Sequence, residues 1–270
     1  MLEGKKVVSD YLIIDQSSIL RYVFYPRNDY TVCPKNAFDI SVIVEEDNVS
    51  ILCRAYKGED RWPWILYFHG NGEVVSDYDE IAPFYTERGL NLVVADYRGY
   101  GMSEGIPTLT NIVRDAHTIF KGIKKELTNR GYRDELWIMG RSLGSISALE
   151  LAYHYQDNIM GLIVESGFPS IVNILTHLGV PVYDTKLDRL YKESLEMIQG
   201  IFIPTLIIHG EYDTLVPLKE GEDLYTHIGT EEKHLLIIPG ANHNDIMFIG
   251  FKQYFDALKR FIEITDKTLY

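Results

Sequence analysis

The residues best suited to chemistry lie in three short stretches: "GRSLG" (140–144), "GEYD" (210–213) and "GANHND" (240–245). The first fits G-x-S-x-G. In that pattern a serine, here Ser142, stands on a sharp turn between a strand and a helix, and the flanking glycines leave room where the two elements nearly touch. The apolar "ELWIM" before it reads as a strand and "LGSISALELAYHY" after it as a helix. The competing reading is a glycine-rich helix start with an N-capping serine.

A serine hydroxyl needs a base before it attacks a carbonyl carbon, and the base needs an acid to orient it. On a strand–turn–helix scaffold of this kind the chain order is serine, acid, histidine. Of the eight histidines, His243 sits in a loop of small and polar residues after the last apolar run, which makes it the candidate base. His154 and His177 lie in helical stretches. His69 and His209 precede glycines at strand ends and read as loop-forming residues. The acid should follow the preceding strand, where Glu211 and Asp213 are both available, and the residues alone do not choose between them. Asp245 is too near His243 in the chain to orient it, and reads better as a cap of the loop or of the next helix. The oxyanion of a tetrahedral intermediate needs two N–H donors. Leu143 N–H, just after the serine, is one candidate. Asn71 N–H, between Gly70 and Gly72 in the loop after "WILYF", is the other.

These loops need a frame. From Trp62 onward, short apolar runs ("WILYF", "LNLVVA", "LWIM", "GLIVE", "TLIIH", "LLII") alternate with amphipathic helical patterns. Apolar runs without alternation suggest strands buried on both faces, and their interleaving with helices implies βαβ units. The expected fold class is therefore α/β, with a mostly parallel central sheet flanked by helices. The first 60 residues read as a leading helix and a hairpin turning at "EEDN". Residues 168–200 are too long for a simple crossover and read as a short helical cap inserted into a single domain spanning 1–270.

The chain has 270 residues, 46% of them hydrophobic, and a formal charge of −13. That is enough apolar material for one large core. The negative charge argues against nucleic acid and anionic lipid surfaces as partners. Two cysteines, Cys33 and Cys53, form no disulfide framework or metal motif, which points to a reducing compartment. No secretory signal is evident at the start and no apolar run reaches the length of a membrane span. A cytoplasmic protein is expected.

Taken together, "YFHGNG", "VVADYRGYGMSEG", "IMGRSLGS", "GLIVESGFPS", "TLIIHGEYDTLVP" and "IPGANHND" resemble the α/β-hydrolase superfamily, in family order over residues 66–245. The nearest likeness is to intracellular serine hydrolases with a small helical cap, a group of esterases, lipid hydrolases and deacylases. The resemblance implies a Ser142–Asp213–His243 triad, selecting Asp213 over Glu211, and backbone donors at Asn71 and Leu143. It implies hydrolysis of an ester or thioester of a small molecule through an acyl-enzyme, with no metal or organic cofactor. A peptidase or amidase would use the same residues. A binding protein that keeps the fold without catalysis is the reading from another class. Phe168, Tyr183, Leu187 and Tyr191, in or beside the cap, could line a substrate pocket, or could simply pack the cap on the core. Relatives often carry "HGNAGN" where this chain has "HGNGEV", so the loop beyond Asn71 should take a different shape.

Overall fold

A computed structural model describes residues 11–15, 17–180 and 185–266. Its centre is an eight-stranded sheet among the described residues, in the order β1-β2-β4-β3-β5-β6-β7-β8. Here β1 is Ala37–Val44, β2 Val49–Tyr56, β3 Trp64–Phe68, β4 Asn91–Ala95, β5 Leu136–Arg141, β6 Ile159–Glu165, β7 Thr205–Gly210 and β8 Lys233–Ile238. The β1–β2 hairpin and the β2–β4 pair are antiparallel, and every later pair is parallel. Every residue of β3, β4, β5 and β7 is buried, as their unbroken apolar runs require when helices cover both faces. The edge strands are less covered: β1 alternates toward its end and in β8 only Ile238 is buried.

Two apolar clusters flank the sheet. One packs α3 (Leu109–Asn129) and α4 (Ser145–His154) against it, and the other packs α2 (Ala82–Thr86) and α9 (Phe251–Thr265). The stripe Leu109, Ile112, Val113, Ala116, Ile119, Phe120, Ile123 and Leu127 repeats at three- and four-residue spacing and is buried along α3. Its N-terminus is capped twice. Thr108 Oγ1 accepts the Asn111 N–H at 3.0 Å, and the Asp15 carboxylate accepts the N–H groups of Leu109 and Thr110 at 2.7 and 3.1 Å. Residues 74–89, which have a helical pattern in sequence, are instead broken into a 3-10 turn at Val75–Tyr78 and the short α2. Pro83 cannot donate into a preceding turn, so it sits in the first turn of a new helix.

Between β6 and β7 the chain forms α5 (Ile171–His177) and α6 (Thr185–Gln199). The remaining helices are α1 (Ser17–Val23), α7 (Leu218–His227) and α8 (Ile246–Ile249). Both cysteines are free thiols. No helix among the described residues is long and apolar enough to cross a membrane.

The segment between α1 and β1 has no regular structure, and a buried cation holds it. The guanidinium of Arg54, on β2, reaches Asp39 at 2.7 and 3.1 Å, Asp79 at 3.1 Å, and both the carbonyl and hydroxyl oxygens of Thr31 at 3.0 Å. Its side chain is fully buried. Removing one partner from such a group leaves the others uncompensated, which costs far more than the pair contributes net. Arg54→Met is expected to lower folding stability by about 3 kcal/mol, read from the midpoint of urea denaturation.

Candidate active site

The end of β5 turns directly into a helix at Ser142. The residue has φ +51°, a left-handed conformation that costs a non-glycine residue roughly 1–3 kcal/mol and persists only where its surroundings enforce it. The surroundings are the two flanking glycines. A Cβ on Gly140 would stand 2.4 Å from the Gly144 carbonyl oxygen and 2.7 Å from Ala148 Cβ, and one on Gly144 would stand 2.0 Å from the Phe68 carbonyl oxygen. The turn therefore rides directly on the end of β3. Ser145 Oγ–H, at the start of α4, donates to the Ser142 carbonyl at 2.7 Å and closes it.

Three loops from the carboxyl ends of the sheet meet here. Ser142 Oγ lies 3.1 Å from His243 Nε2, and His243 Nδ1 lies 2.7 Å from Asp213 Oδ2. All three residues are buried. The other Asp213 oxygen accepts the N–H groups of Leu215 and Val216 at 3.0 and 2.8 Å. Burial alone would push this carboxyl up. The hydrogen bond and charge of His243 and the Val216 N–H outweigh burial and hold it below the usual aspartate range. An ionised Asp213 accepts from Nδ1–H, which leaves Nε2 free to accept the serine proton.

The two acids left open by the residues are separated in space. Glu211 points away and accepts the Gly240 N–H at 2.8 Å, so it braces the turn after β8. Asp245 accepts the Asn242 N–H at 2.6 Å and closes the base's loop. It makes no side-chain cap to α8. His209 and His69 are fully buried. His209 Nε2–H donates to the Val216 carbonyl at 2.8 Å, and burial holds its pKa below the ordinary value, so it shapes the acid's loop as a neutral ring. His69 lies 3.2 Å from Asp96 and 2.8 Å from the Gly70 carbonyl.

In the β3–β5 pair Phe68 is level with Gly140, so the loop carrying Asn71 and the turn carrying Leu143 leave the sheet side by side. Neither backbone N–H finds a protein acceptor among the described residues. The Asn71 side chain is fully engaged: Oδ1 accepts from Tyr25 N–H at 3.0 Å and Tyr100 O–H at 2.7 Å, and Nδ2 donates to the Val23 carbonyl at 2.6 Å. In the loop beyond it, Glu73 Oε2 folds back to accept the Gly70 N–H at 2.8 Å.

Of the pocket candidates, Phe168 and Leu187 are buried in the same apolar cluster as Leu143, and Tyr191 is half-buried on α6. Tyr183 lies outside the described residues.

Sequence reading assigned no part to Arg141, yet it joins the loops. Its Nη2 donates to the carbonyl oxygen of His243 and to Asn244 Oδ1, both at 2.9 Å. Its other nitrogens reach Glu73 and, at 3.2 Å, Glu165. Tyr254 O–H donates to the second Glu165 oxygen at 2.6 Å. Burial would push the Glu73 carboxyl up, but the Arg141 charge holds it low; at Glu165 burial prevails and the pKa is raised. The network borders a cavity of about 130 Å³. The available signal was a charged residue ending an apolar run, because a buried strand end tolerates a cation only with paired acids.

A family model described as serine aminopeptidase, S33, matches residues 63–195. The uncharacterized protein YfhR of Salmonella typhi is 28% identical over 210 residues, covering 74% of this chain and 70% of that protein. The human alpha/beta hydrolase domain-containing protein 17B is 30% identical over 205 residues, covering 73% of this chain and 65% of that one. The structure of the Pyrococcus furiosus esterase Pf2001 matches at TM-score 0.70 and 20% identity, over 88% of this chain and 98% of its own.

Two outcomes follow from this geometry. Arg141→Met strands Glu73 and Glu165 without their cation and should cost roughly 3–5 kcal/mol, and Arg141→Lys should not restore it, because a point charge cannot replace the forked contacts. Equilibrium urea unfolding reads both. The lowered pKa of Asp213 means that its ionised form stabilises the fold above the unfolded aspartate value of about 3.9, and that this stabilisation goes as pH falls through the folded value. The stability gap between wild type and Asp213→Asn should therefore narrow below about pH 4.

Proposed function

Because the chain belongs to the α/β-hydrolase superfamily, we propose that it is a serine hydrolase that cleaves carboxylic esters or thioesters of small molecules through an acyl-enzyme on Ser142. The observation that carries this reading is the unbroken chain of contacts from Ser142 Oγ to His243 to Asp213, at 3.1 and 2.7 Å. Ser142 Oγ attacks the carbonyl carbon as His243 Nε2 takes its proton. Asp213 holds the ring with Nδ1–H inward and stabilises the imidazolium that forms. The N–H groups of Asn71 and Leu143 receive the oxyanion, each worth on the order of 10²–10³ in rate. His243 then protonates the departing alcohol or thiol. Water, deprotonated by the same nitrogen, attacks the acyl-enzyme and releases the acid and Ser142. Each proton that leaves a nucleophile is returned to a leaving group, so the cycle closes on these three side chains.

A second reading, hydrolysis of an amide at an amino terminus, draws on the description of the matching family model. It uses the same residues and differs only in the leaving group. A panel of p-nitrophenyl esters of increasing chain length beside aminoacyl anilides separates the two by their kcat/KM values.

Ser142→Ala and His243→Ala should each lower kcat on the preferred ester by about 10⁴–10⁶. A fluorophosphonate probe should label wild type and not Ser142→Ala. Undiminished turnover by Ser142→Ala, or no labelling of the wild type, overturns the reading.

A further inference from the structure

Away from the serine, the two helices packed on one face of the sheet bring three metal-ligating side chains together. Glu150 and His154 are four residues apart on α4, so they project from one face of that helix. His117 comes across from α3. Its Nε2 lies 3.0 Å from Oε1 of Glu150, and Nδ1 of His154 lies 3.1 Å from the same oxygen. One ligand atom from each residue lies within 4.8 Å of the other two.

A tetrahedral zinc ion with bonds of about 2.0–2.1 Å needs neighbouring donors roughly 3.3 Å apart. The two imidazole nitrogens already approach that spacing from the carboxylate oxygen, and the three ligand atoms lie within 4.8 Å of one another. The carboxylate itself is buried, and among the described residues its ion-pair partners are these two imidazoles, with no lysine or arginine in reach. A buried carboxylate without a fixed cation is costly, and a bound cation would offset that cost. His154 Nδ1 also lies 3.0 Å from the Glu150 carbonyl oxygen, a contact that ligation would have to displace, while its Nε2 is buried without a partner. The far nitrogen of His117 has one, at 3.0 Å from the Tyr155 hydroxyl, as the rear nitrogen of a ligating histidine commonly does. The side chains of His117 and His154 are 19% and 11% exposed, enough for a water to reach a fourth position.

We propose that His117, Glu150 and His154 bind one divalent transition-metal ion of the zinc type, clamping α3 to α4. A donor set of two imidazoles and one carboxylate favours zinc over magnesium or calcium, which prefer all-oxygen shells. The ion lies toward the far end of α4, between positions about 8 and 13 Å along the helix from Ser145 at 1.5 Å per residue, so it takes no part in the acyl transfer proposed above. Its effect is on the rigidity of the helix that carries the serine turn at its other end.

The test is calorimetric titration of the full chain, stripped with chelator, using Zn²⁺ and then Mg²⁺. Wild type should take up one Zn²⁺ per chain and rise in Tm with Zn²⁺ but not with Mg²⁺. His117→Gln/His154→Gln should weaken Zn²⁺ binding at least about 10-fold, and His243→Ala should not weaken it. Co²⁺ bound to wild type should give the strong visible absorption of a four-coordinate site, a reading that does not depend on any variant folding. No saturable Zn²⁺ uptake, uptake unchanged in the double variant, uptake lost only in His243→Ala, or a six-coordinate Co²⁺ spectrum would each overturn the proposal. None of these outcomes bears on whether Ser142 is a nucleophile.

Discussion

The guanidinium of Arg141 is the interaction on which the arrangement of the site depends. It occupies the position immediately before Ser142, at the last residue of β5, and its donors run outward to other loops. One nitrogen holds the backbone of His243, another holds Glu73, whose second oxygen ties down the Gly70 N–H beside Asn71. A third reaches Glu165 at the end of β6. The serine turn, the base's loop and the loop of the candidate oxyanion donors are thus fixed to one buried charge. Planar, forked geometry suits arginine to this, because several acceptors can be met at once from fixed directions.

Around that charge the site is held by sterics and by polar groups with few alternatives. The left-handed backbone of Ser142 is imposed by Gly140 and Gly144, which let the turn sit against the end of β3 at distances no larger residue permits. Asp213 is kept ionised by its neighbours against its own burial, and His209 is kept neutral by burial beside it, so one imidazole competes for the acid rather than two. The proposed chemistry needs the reacting groups set before substrate arrives, and this packing sets them.

The cluster on α3 and α4 follows the opposite logic. Its donors converge on one carboxylate oxygen, and one imidazole nitrogen is left buried and unpartnered. Arg141 has its acids supplied from within the chain, whereas among the described residues no lysine or arginine pairs with Glu150. Arg141 ends β5 four residues before α4 begins, and His154 is the last residue of that helix, so the two situations lie at opposite ends of one strand–turn–helix unit.

The sequence alone determined the parallel sheet, because strands buried on both faces can only be written as continuous apolar runs. It determined the serine turn, because close approach of strand and helix demands glycine at 140 and 144. It singled out His243 and the loop of Glu211 and Asp213 as candidates, because an open sheet of this kind binds ligands beyond the carboxyl ends of its strands. The choice of Asp213 over Glu211 rested on family resemblance; in space, only Asp213 reaches the ring, while Glu211 turns to Gly240. Only the tertiary structure decided the partners of Arg141, since Glu73 is 68 residues away in the chain and His243 is 102 away. The same holds for the meeting of His117 with Glu150 across 33 residues. A local pattern records what one element needs from its own backbone. It carries no record of which distant charge will be packed against it, because that follows from strand order and helix packing, which are properties of the whole chain.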